Sequence, residues 1–332
     1  MSDLKKFAHV NAKIKGMYGK KMSYDDYMEI IKQSNLEGIV IKLKEKFEFL
    51  RNLSENNVIR EEIEVFLKMD LINDVIKIEK VLDDNSRKIL KLYMEKYKIK
   101  YIKNRYMYLM LGKKQEINKI RNLSELYNEI DELDSCRNLQ EFFDFIKDTK
   151  YNEIFLKYSN EYFGPENKSL FKLENKLERM YFEDLYKNIK KLNENNVKYI
   201  VGRQIDLFNV LWIYRSQKYY GFSNEIRENL IQVNYKLSQD EINQLLSGQH
   251  YEEVLGNNIY TKVLNFEGNL EEKIIKYLNA LYIRKFKNDM FDISMVISYI
   301  ELKEQQIKNI INIIEGVRYD INRQDIQKKI IY

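Results

Sequence analysis

The sequence predicts an all-α protein built from repeated helical units, and two observations support this. The first is that helix breakers are rare, because the 332 residues include one Pro and 11 Gly. Leu, Ile, Lys and Glu are abundant, and apart from the β-branched Ile these residues favour helices. The second is that QIDLFNVLWIYRSQKYYG, Gln204–Gly221, recurs near the C-terminus as EQQIKNIINIIEGVRYDI, Glu304–Ile321. No alternating pattern is long enough to predict a strand.

The two copies stay in one register without a gap. Asn209 corresponds to Asn309, and the pattern around this residue is also shared. The matching positions, 100 residues apart, are Leu207 with Ile307, Val210 with Ile310, Ile213 with Ile313 and Tyr219 with Tyr319. A common apolar spacing with one polar residue held in place indicates an internal repeat.

The N-terminal region begins with a helix over Leu4–Lys20, and Ser23 then serves as the N-cap of a second helix. A third helix follows at once, so the region contains a helix pair. This pair recurs twice: MSYDDYMEIIKQSNLEGIVIKLKE resembles CRNLQEFFDFIKDTKYNEIFLKYS and LSQDEINQLLSGQHYEEVLGNNIY. From the second copy to the third the offset is again 100 residues, as Ile154 and Val254 show.

Each helix pair is followed by a long helical arm and then by a strongly apolar closing helix, which must be buried among other helices. The arms are predicted at Glu61–Lys103, Leu170–Asn193 and Leu270–Phe286. In the first copy, Lys96–Leu111 takes the place of the closing helix and Tyr101 the place of the Asn. The chain therefore divides into three related helical units of about 100 residues, namely 1–112, 113–221 and 222–332.

Composition argues against several classes of function. Cys136 is the only cysteine, which excludes an intramolecular disulfide and a cysteine-based metal site. The only histidines, His9 and His250, have no neighbouring residues that suggest catalysis or metal binding. No apolar run approaches the roughly 18 residues that span a bilayer, and the N-terminus lacks the core of a signal peptide. We expect a cytoplasmic protein without cofactor, metal site or catalytic residues; an enzyme would need a cluster of acids or bases that the sequence does not show.

The paired asparagines are the most informative candidate residues. A polar side chain beside an apolar stripe must be hydrogen-bonded if it is buried. Asn209 and Asn309 are therefore expected to tie their helices to a neighbouring backbone, with a functional role as the alternative. Trp212 could be a ligand platform, but in so apolar a helix it is expected to lie in the core.

Two further stretches carry charge. Gly16–Lys21, GMYGKK, resembles a phosphate-binding loop, but its glycines are too close together and it closes a helix instead of opening one. Lys96–Arg105 is the most basic stretch, and helical spacing places Lys96, Lys100 and Lys103 on one face. That face is either simply solvated or contacts an acidic protein or a polyanion. The second possibility gives the alternative function, a free-standing helical adaptor that binds an acidic protein or RNA.

Four segments resemble one known family in the order that it has them. They are FAHVNAKIKGMYGKKMSYDDYMEII, QIDLFNVLWIYRSQKYYGFS, YKLSQDEINQLL and SYIELKEQQIKNIINIIEGVRYDI. The family is that of the C subunits of the bacterial and archaeal V/A-type ATPases, the counterparts of the d subunits in eukaryotic vacuolar ATPases. The chain departs from it at Lys96–Leu111, where Lys98 and Tyr101 stand in place of an acidic residue and an Asn.

This resemblance implies a non-catalytic subunit in which three helical units surround a pseudo-threefold axis and form a funnel. It implies partners, namely the central-stalk subunits and the membrane rotor ring, and one copy within a hetero-oligomeric complex. The protein would lie on the cytoplasmic face of the membrane without a span of its own and would bind no nucleic acid. Its role would be to transmit torque between ATP hydrolysis or synthesis and proton or sodium transport.

Overall fold

The predicted all-α class is confirmed by a computed structural model, which describes residues 3–51, 53, 58–112, 120–159, 168–220 and 225–332. Across these ranges the regular structure is entirely helical, without a strand. In the first half of the chain the α-helices are α1 Asp3–Tyr18, α2 Tyr24–Ile31, α3 Leu36–Lys46, α4 Arg60–Glu79, α5 Asp84–Leu111, α6 Glu129–Ser135, α7 Leu139–Ile146 and α8 Asn152–Ser159.

The second half continues with longer elements separated by short ones. The helices are α9 Lys168–Lys191, α10 Asn195–Tyr220, α11 Glu225–Asn229, α12 Gln239–Leu246, α13 Tyr251–Gly256, α14 Thr261–Leu264, α15 Leu270–Asn288, α16 Ile293–Arg318 and α17 Arg323–Lys328. Two short 3-10 helices, Glu48–Leu50 and Arg121–Glu125, lie between α-helices.

Side-chain caps determine where several of these helices begin. Ser23 is the N-cap of α2 as predicted, and with Asp26 it forms a capping box in which each side chain accepts a hydrogen bond from the other's backbone N–H. Ser238 and Glu241 form the same arrangement at the start of α12. Such caps satisfy N–H groups that the first helical turn leaves without a partner. The two helix pairs therefore start with the same local chemistry.

The first predicted arm differs from the structure. Glu61–Lys103 is not one helix, because α4 ends at Glu79 and α5 begins at Asp84. The side chain of Asp83 accepts a hydrogen bond from the N–H of Ser86, which makes Asp83 the N-cap of a new helix. The predicted closing stretch Lys96–Leu111 is the second half of α5.

By the density of contacts the chain forms two compact units. The first contains Met1–Lys91, Lys100–Ser135 and Lys285–Tyr332, and the second contains Leu92–Ile99 and Cys136–Arg284. This grouping follows contacts and not sequence similarity. The predicted boundary at 112–113 falls at the edge of a stretch outside the described residues, and the boundary at 221–222 falls inside another. The division into three repeats therefore stays a prediction.

Each compact unit has one long apolar helix in its core. In the first, α16 packs against α4, α1, α2 and α3, and its residues from Ile293 to Ile300 are buried without interruption. In the second, α10 packs against α9, α11 and α12, and it is buried from Ile200 to Leu207. Burial on nearly every side is what the sequence predicts for the two closing helices. These two helices also position the candidate site.

Candidate functional site: repeated ties from α10 and α16

Asn209 connects α10 to a later stretch of backbone through two side-chain-to-backbone hydrogen bonds, and such a contact is called a tie below. Its side chain is 1% exposed. The amide nitrogen donates to the carbonyl oxygen of Ile231 at 3.0 Å, and the N–H of Ile231 donates to Asn209 Oδ1 at 2.9 Å. The N–H and the carbonyl group of the buried Ile231 thus both have a hydrogen-bond partner. Buried backbone groups in folded proteins are almost always paired in this way.

Asn309 makes the same pair of hydrogen bonds on α16. Its amide nitrogen donates to the carbonyl oxygen of Ile331 at 2.8 Å, and the N–H of Ile331 donates to Asn309 Oδ1 at 3.3 Å. Both partners are 22 residues further along the chain. Each follows a short helix, α11 or α17. The offset of 100 residues seen in the sequence is therefore repeated in the hydrogen bonds.

A second pair of equivalent positions holds the start of a helix pair. The Asp206 carboxylate accepts hydrogen bonds from the N–H groups of Tyr235, Lys236 and Leu237, the last at 3.0 Å. Leu237 immediately precedes Ser238, the N-cap of α12.

On α16 the residue 100 positions later, Gln306, accepts from the N–H of Met22 at 2.9 Å. Met22 precedes Ser23, the N-cap of α2. Asp206 and Gln306 therefore hold the backbone at matching points of two helix pairs. The pair that α16 holds is the N-terminal one, within the first compact unit.

Electrostatics differ at these two positions. Asp206 is 1% exposed and also accepts a hydrogen bond from the Tyr260 hydroxyl at 2.5 Å. Burial raises the pKa of Asp206 above its ordinary value, although the donors around it act in the opposite direction. Burial and the neighbouring Asp206 also raise the pKa of Tyr260. Gln306 carries no charge, so only α10 has a buried carboxyl here.

A third pair of positions carries a cation. On α16, Lys303 forms ion pairs with Asp70 and Asp74 of α4, and the Tyr299 hydroxyl donates to Asp74 at 2.6 Å. On α10 the corresponding residue is Arg203, which is 9% exposed. Its guanidinium carbon lies 4.0 Å from the ring centroid of Tyr199.

Arg203 lacks the carboxylates that Lys303 has. Its Nε and Nη1 atoms are buried and donate to no hydrogen-bond acceptor among the described residues. Within the same residues no carboxylate lies within ion-pair distance of it. The guanidinium is therefore surrounded by aromatic rings in place of counter-charges.

The other predicted residues lie away from these ties. Trp212 is partly buried on α10. Lys96 is partly buried, and its ammonium lies 4.9 Å from the ring centroid of Tyr93. Partial burial and the Lys68 ammonium lower the pKa of Lys100 to about 8, although Lys100 keeps substantial solvent exposure. Lys103 is partly buried on the same helix.

Two residues of the basic stretch are engaged within the protein. Lys98 lies 3.8 Å from the Glu95 carboxylate, and Arg105 is buried and donates to the Asp134 carbonyl oxygen at 3.0 Å. Tyr101, predicted to replace the Asn, donates to the Asp134 carboxylate at 2.8 Å. Tyr101 therefore binds the side chain of a later residue, whereas Asn209 binds the backbone N–H and carbonyl groups of one.

The cation positions and the positions that hold the helix pairs are not predicted above from the sequence. The signal was present, because extending the offset of 100 residues towards the N-terminus aligns Tyr199 with Tyr299, Arg203 with Lys303 and Asp206 with Gln306. These matches involve polar and charged residues, so apolar periodicity does not reveal them. Their partners on α4 and before α12 cannot be read from helical spacing.

Two kinds of feature are absent from the described residues. No group of three His, Cys, Asp or Glu side chains among them is placed to hold a metal ion. None of the described helices combines the length and the apolarity needed to cross a bilayer. Gly16–Lys21 closes α1, as expected, since that helix ends at Tyr18.

The fold and the ties define an all-helical protein in which two long helices repeat one set of side-chain-to-backbone contacts. The model of one family, described as ATP synthase (C/AC39) subunit, matches residues 10–329. The chain therefore belongs to the ATP synthase (C/AC39) subunit family, which confirms the resemblance.

Similar proteins include three archaeal ones, each named as the C subunit of an A-type ATP synthase. The protein of Methanocaldococcus jannaschii is 24% identical, over 99% of this chain and 87% of its own length. That of Methanosphaera stadtmanae is 20% identical, over 92% and 82%. That of Methanothermobacter thermautotrophicus is 22% identical, over 93% and 83%. The similarity thus extends over nearly the whole chain.

Proposed function

We propose that this protein is a non-catalytic central-axis subunit of a V/A-type ATPase. It links the central stalk to the membrane rotor ring, and it transmits torque between ATP hydrolysis or synthesis and the transport of protons or sodium ions. Its partners are the central-stalk subunits and the ring. It acts as one copy within the complex, on the cytoplasmic face of the membrane.

Family membership over residues 10–329 is the observation that carries this proposal. The names of the similar proteins describe them as C subunits of A-type ATP synthases. A subunit of such an ATPase that does not itself hydrolyse or synthesise ATP must act through its shape and stiffness.

The repeated ties support a stiff, repeated architecture. We propose that the chain divides into helical units 1–112, 113–221 and 222–332. The three units surround a pseudo-threefold axis and together form a funnel. Asn209 and Asn309 bind backbone segments at matching positions, and each tie is buried or partly buried. Hydrogen bonds of this kind resist the sliding of a helix against its neighbour, because a shift leaves buried backbone groups without partners.

Lys96, Lys100 and Lys103 remain candidates for contact with another component of the complex. The alternative, an adaptor that binds RNA or an acidic protein through Lys96–Arg105, is less well supported. Lys98 and Arg105, two cations of that stretch, already contact Glu95 and Asp134. We therefore propose one function only.

The test is to assemble the ATPase complex with and without this protein in sealed vesicles. We expect that omission leaves ATP hydrolysis by the soluble head measurable but abolishes ATP-driven ion uptake. Adding back the purified chain should restore uptake and bring the stalk and the ring together in one particle. Undiminished ion uptake in its absence would contradict a coupling role.

A further inference from the structure

A large cavity opens in the first compact unit, away from the repeated asparagine ties. Its volume is about 890 Å³, which is in the range of sites for small organic ligands. The walls are the last turns of α1, the end of α3, one face of α4 and the middle of α16. Aromatic rings of Tyr18, Phe47 and Phe49 form part of the surface.

Cations outnumber anions on these walls. Six lysines line the cavity, namely Lys13, Lys20, Lys21, Lys46, Lys77 and Lys303, against three carboxylates, Glu48, Asp70 and Asp74. Each carboxylate already lies within ion-pair distance of a cation: Asp70 and Asp74 share Lys303, Asp74 also lies 3.7 Å from Lys77, and Glu48 pairs with Arg51. The cavity therefore has an excess of positive charge.

The excess is concentrated at α1. Among the described residues Lys13, Lys20 and Lys21 form no ion pair. Lys13 donates to the backbone carbonyl oxygen of Lys77 at 2.8 Å. The Lys21 ammonium lies 4.5 Å from the ring centroid of Tyr332 and 5.6 Å from that of Tyr18. Burial lowers the pKa of Lys21, which means that its surroundings do not fully stabilise the charge.

We propose that this cavity binds a phosphate group with two or more negative charges, held by the ammonium groups of Lys13, Lys20 and Lys21. Lysine ammonium groups bind phosphate as point charges, and several of them around one cavity favour a multiply charged ligand. The aromatic wall accommodates an organic body attached to the phosphate. This site does not depend on the proposed coupling role.

The end of α1 opposes an anion only weakly. Carbonyl groups at a helix C-terminus carry partial negative charge. Here the carbonyls of Lys15, Met17 and Tyr18 accept hydrogen bonds from the N–H groups of residues 19, 20 and 21. With these groups satisfied, the lysine ammoniums dominate the local potential.

The equivalent region of α10 has less of this positive charge. Where α16 presents Gln306 to the cavity, α10 has the buried carboxyl Asp206, which would repel an anion. In the matched helix pairs Met22 corresponds to Leu237 and Ser23 to Ser238. Lys20 therefore corresponds to the uncharged Tyr235, whereas Lys21 corresponds to Lys236. The proposed site is therefore a property of the first compact unit and not of the repeat.

The test is calorimetric titration of the full-length protein with pyrophosphate. We expect saturable binding that weakens at high salt. Lys20→Gln and Lys21→Gln should each lose about fivefold or more in affinity, since a hydrogen bond to a charged group contributes that much. Lys88→Gln removes an exposed lysine of α5 outside the cavity, and this control should bind as the unmodified protein does.

A second pair of variants keeps every lysine. Gly16 lines the cavity, and nothing lies within 4 Å of the position that a Cβ atom would occupy there. Gly16→Glu should therefore fold and place a carboxylate in the cavity, which weakens pyrophosphate binding. Gly16→Gln has the same size without the charge and should bind nearly as well as the unmodified protein.

The source of the phosphate is distinguished by a second measurement. Co-sedimentation with vesicles that contain phosphatidic acid, compared with pure phosphatidylcholine vesicles, tests a lipid headgroup. Binding to the acidic vesicles that Gly16→Glu weakens would identify a headgroup, whereas binding of pyrophosphate alone would identify a soluble phosphate compound. The proposal is overturned if the protein binds neither probe. It is also overturned if Lys20→Gln and Lys21→Gln lose no more affinity for pyrophosphate than Lys88→Gln does.

Discussion

Lys303 on α16 and Arg203 on α10 occupy equivalent positions 100 residues apart, yet their charges are stabilised in opposite ways. Lys303 pairs with two carboxylates of α4, Asp70 and Asp74. Arg203 lies against tyrosine rings, and none of the described carboxylates reaches it. The asparagines about two turns further on, in contrast, make the same two hydrogen bonds on both helices.

This difference distinguishes the contacts that both copies of a repeat share from the contacts that vary between the copies. Asn209 and Asn309 satisfy backbone groups, and every copy of the backbone has those groups. A side-chain ion pair depends instead on which residues the neighbouring helix supplies. The two helices therefore share their hydrogen bonds to the backbone and differ in the partners of their cations.

Removal of the cation should have its largest effect on α16. Lys303→Met leaves Asp70 and Asp74 close together and partly or fully buried without the cation that they share, and only the exposed Lys77 remains near Asp74. Breaking a buried ion pair from one side costs about 3–5 kcal/mol. We expect a loss of that size in the free energy of unfolding, measured by urea denaturation.

Lys308→Met is the matched control, because Lys308 lies on the same helix and is exposed. Its stability should stay within about 0.5 kcal/mol of the unmodified protein, as is usual for surface substitutions. Equal stability of the Lys303 and Lys308 variants would show that the carboxylates do not need the cation.

The asparagine ties should rank next, and α10 should be more sensitive than α16. Asn209→Leu leaves the N–H and carbonyl of Ile231 unpaired, and Ile231 is only 4% exposed, so we expect a loss of about 2–4 kcal/mol. Ile331 is partly exposed, and water can replace the lost partner. Asn309→Leu should therefore cost about 1–2 kcal/mol. Thermal unfolding of both variants measures this order.

Asn312→Leu serves as control for the asparagine variants, because Asn312 is exposed on α16. It should change the melting temperature little. Unchanged melting temperatures in both Asn209→Leu and Asn309→Leu would mean that these amides contribute nothing to stability, and the interpretation of the ties would then be wrong.

Most of the helices could be predicted because their signals are local. Ser23 and the apolar face of the following residues identify α2, and the absence of breakers indicates long helices elsewhere. The break between α4 and α5 cannot be predicted from helix breakers, because it contains neither Gly nor Pro. Asp83 produces it by capping, and an aspartate inside a charged helical stretch does not stand out.

The site could be predicted only in part for a related reason. The register of Asn209 and Asn309 was visible because both copies keep the same residue. The partners of Lys303 were not, because Asp74 lies 229 residues earlier and no spacing links the two. The excess of lysines in the cavity also arises from four helices, and only the Gly16–Lys21 segment was noticeable in the sequence.

Arg203→Met should have a small effect of either sign, and this contrasts with Lys303→Met. The substitution removes the contact with Tyr199 but also removes a buried cation without a carboxylate. These contributions oppose each other, so we expect the free energy of unfolding to change by less than about 1 kcal/mol. A loss above about 3 kcal/mol would indicate that an anion stabilises Arg203. Urea denaturation under the conditions used for Lys303→Met makes the comparison direct.

The smallest expected effect is a dependence of the free energy of unfolding on pH, which arises at the positions of Asp206 and Gln306. Burial raises the pKa of Asp206 above its ordinary value. Between the ordinary and the raised pKa, the folded protein holds a proton that the unfolded chain has released. Stability from this group is therefore present at low pH and falls as pH rises through the raised pKa.

Unfolding measured at a series of pH values from about 4 to 7 should reveal this component, since the ordinary pKa of Asp is about 3.9. Relative to Asp206→Asn, which has no proton to lose, the unmodified protein should become less stable as the pH rises. Gln306→Glu should introduce a similar fall on α16, where the unmodified chain has none at that position. A difference between the unmodified protein and Asp206→Asn that does not vary with pH would show that the four hydrogen-bond donors around Asp206 outweigh its burial.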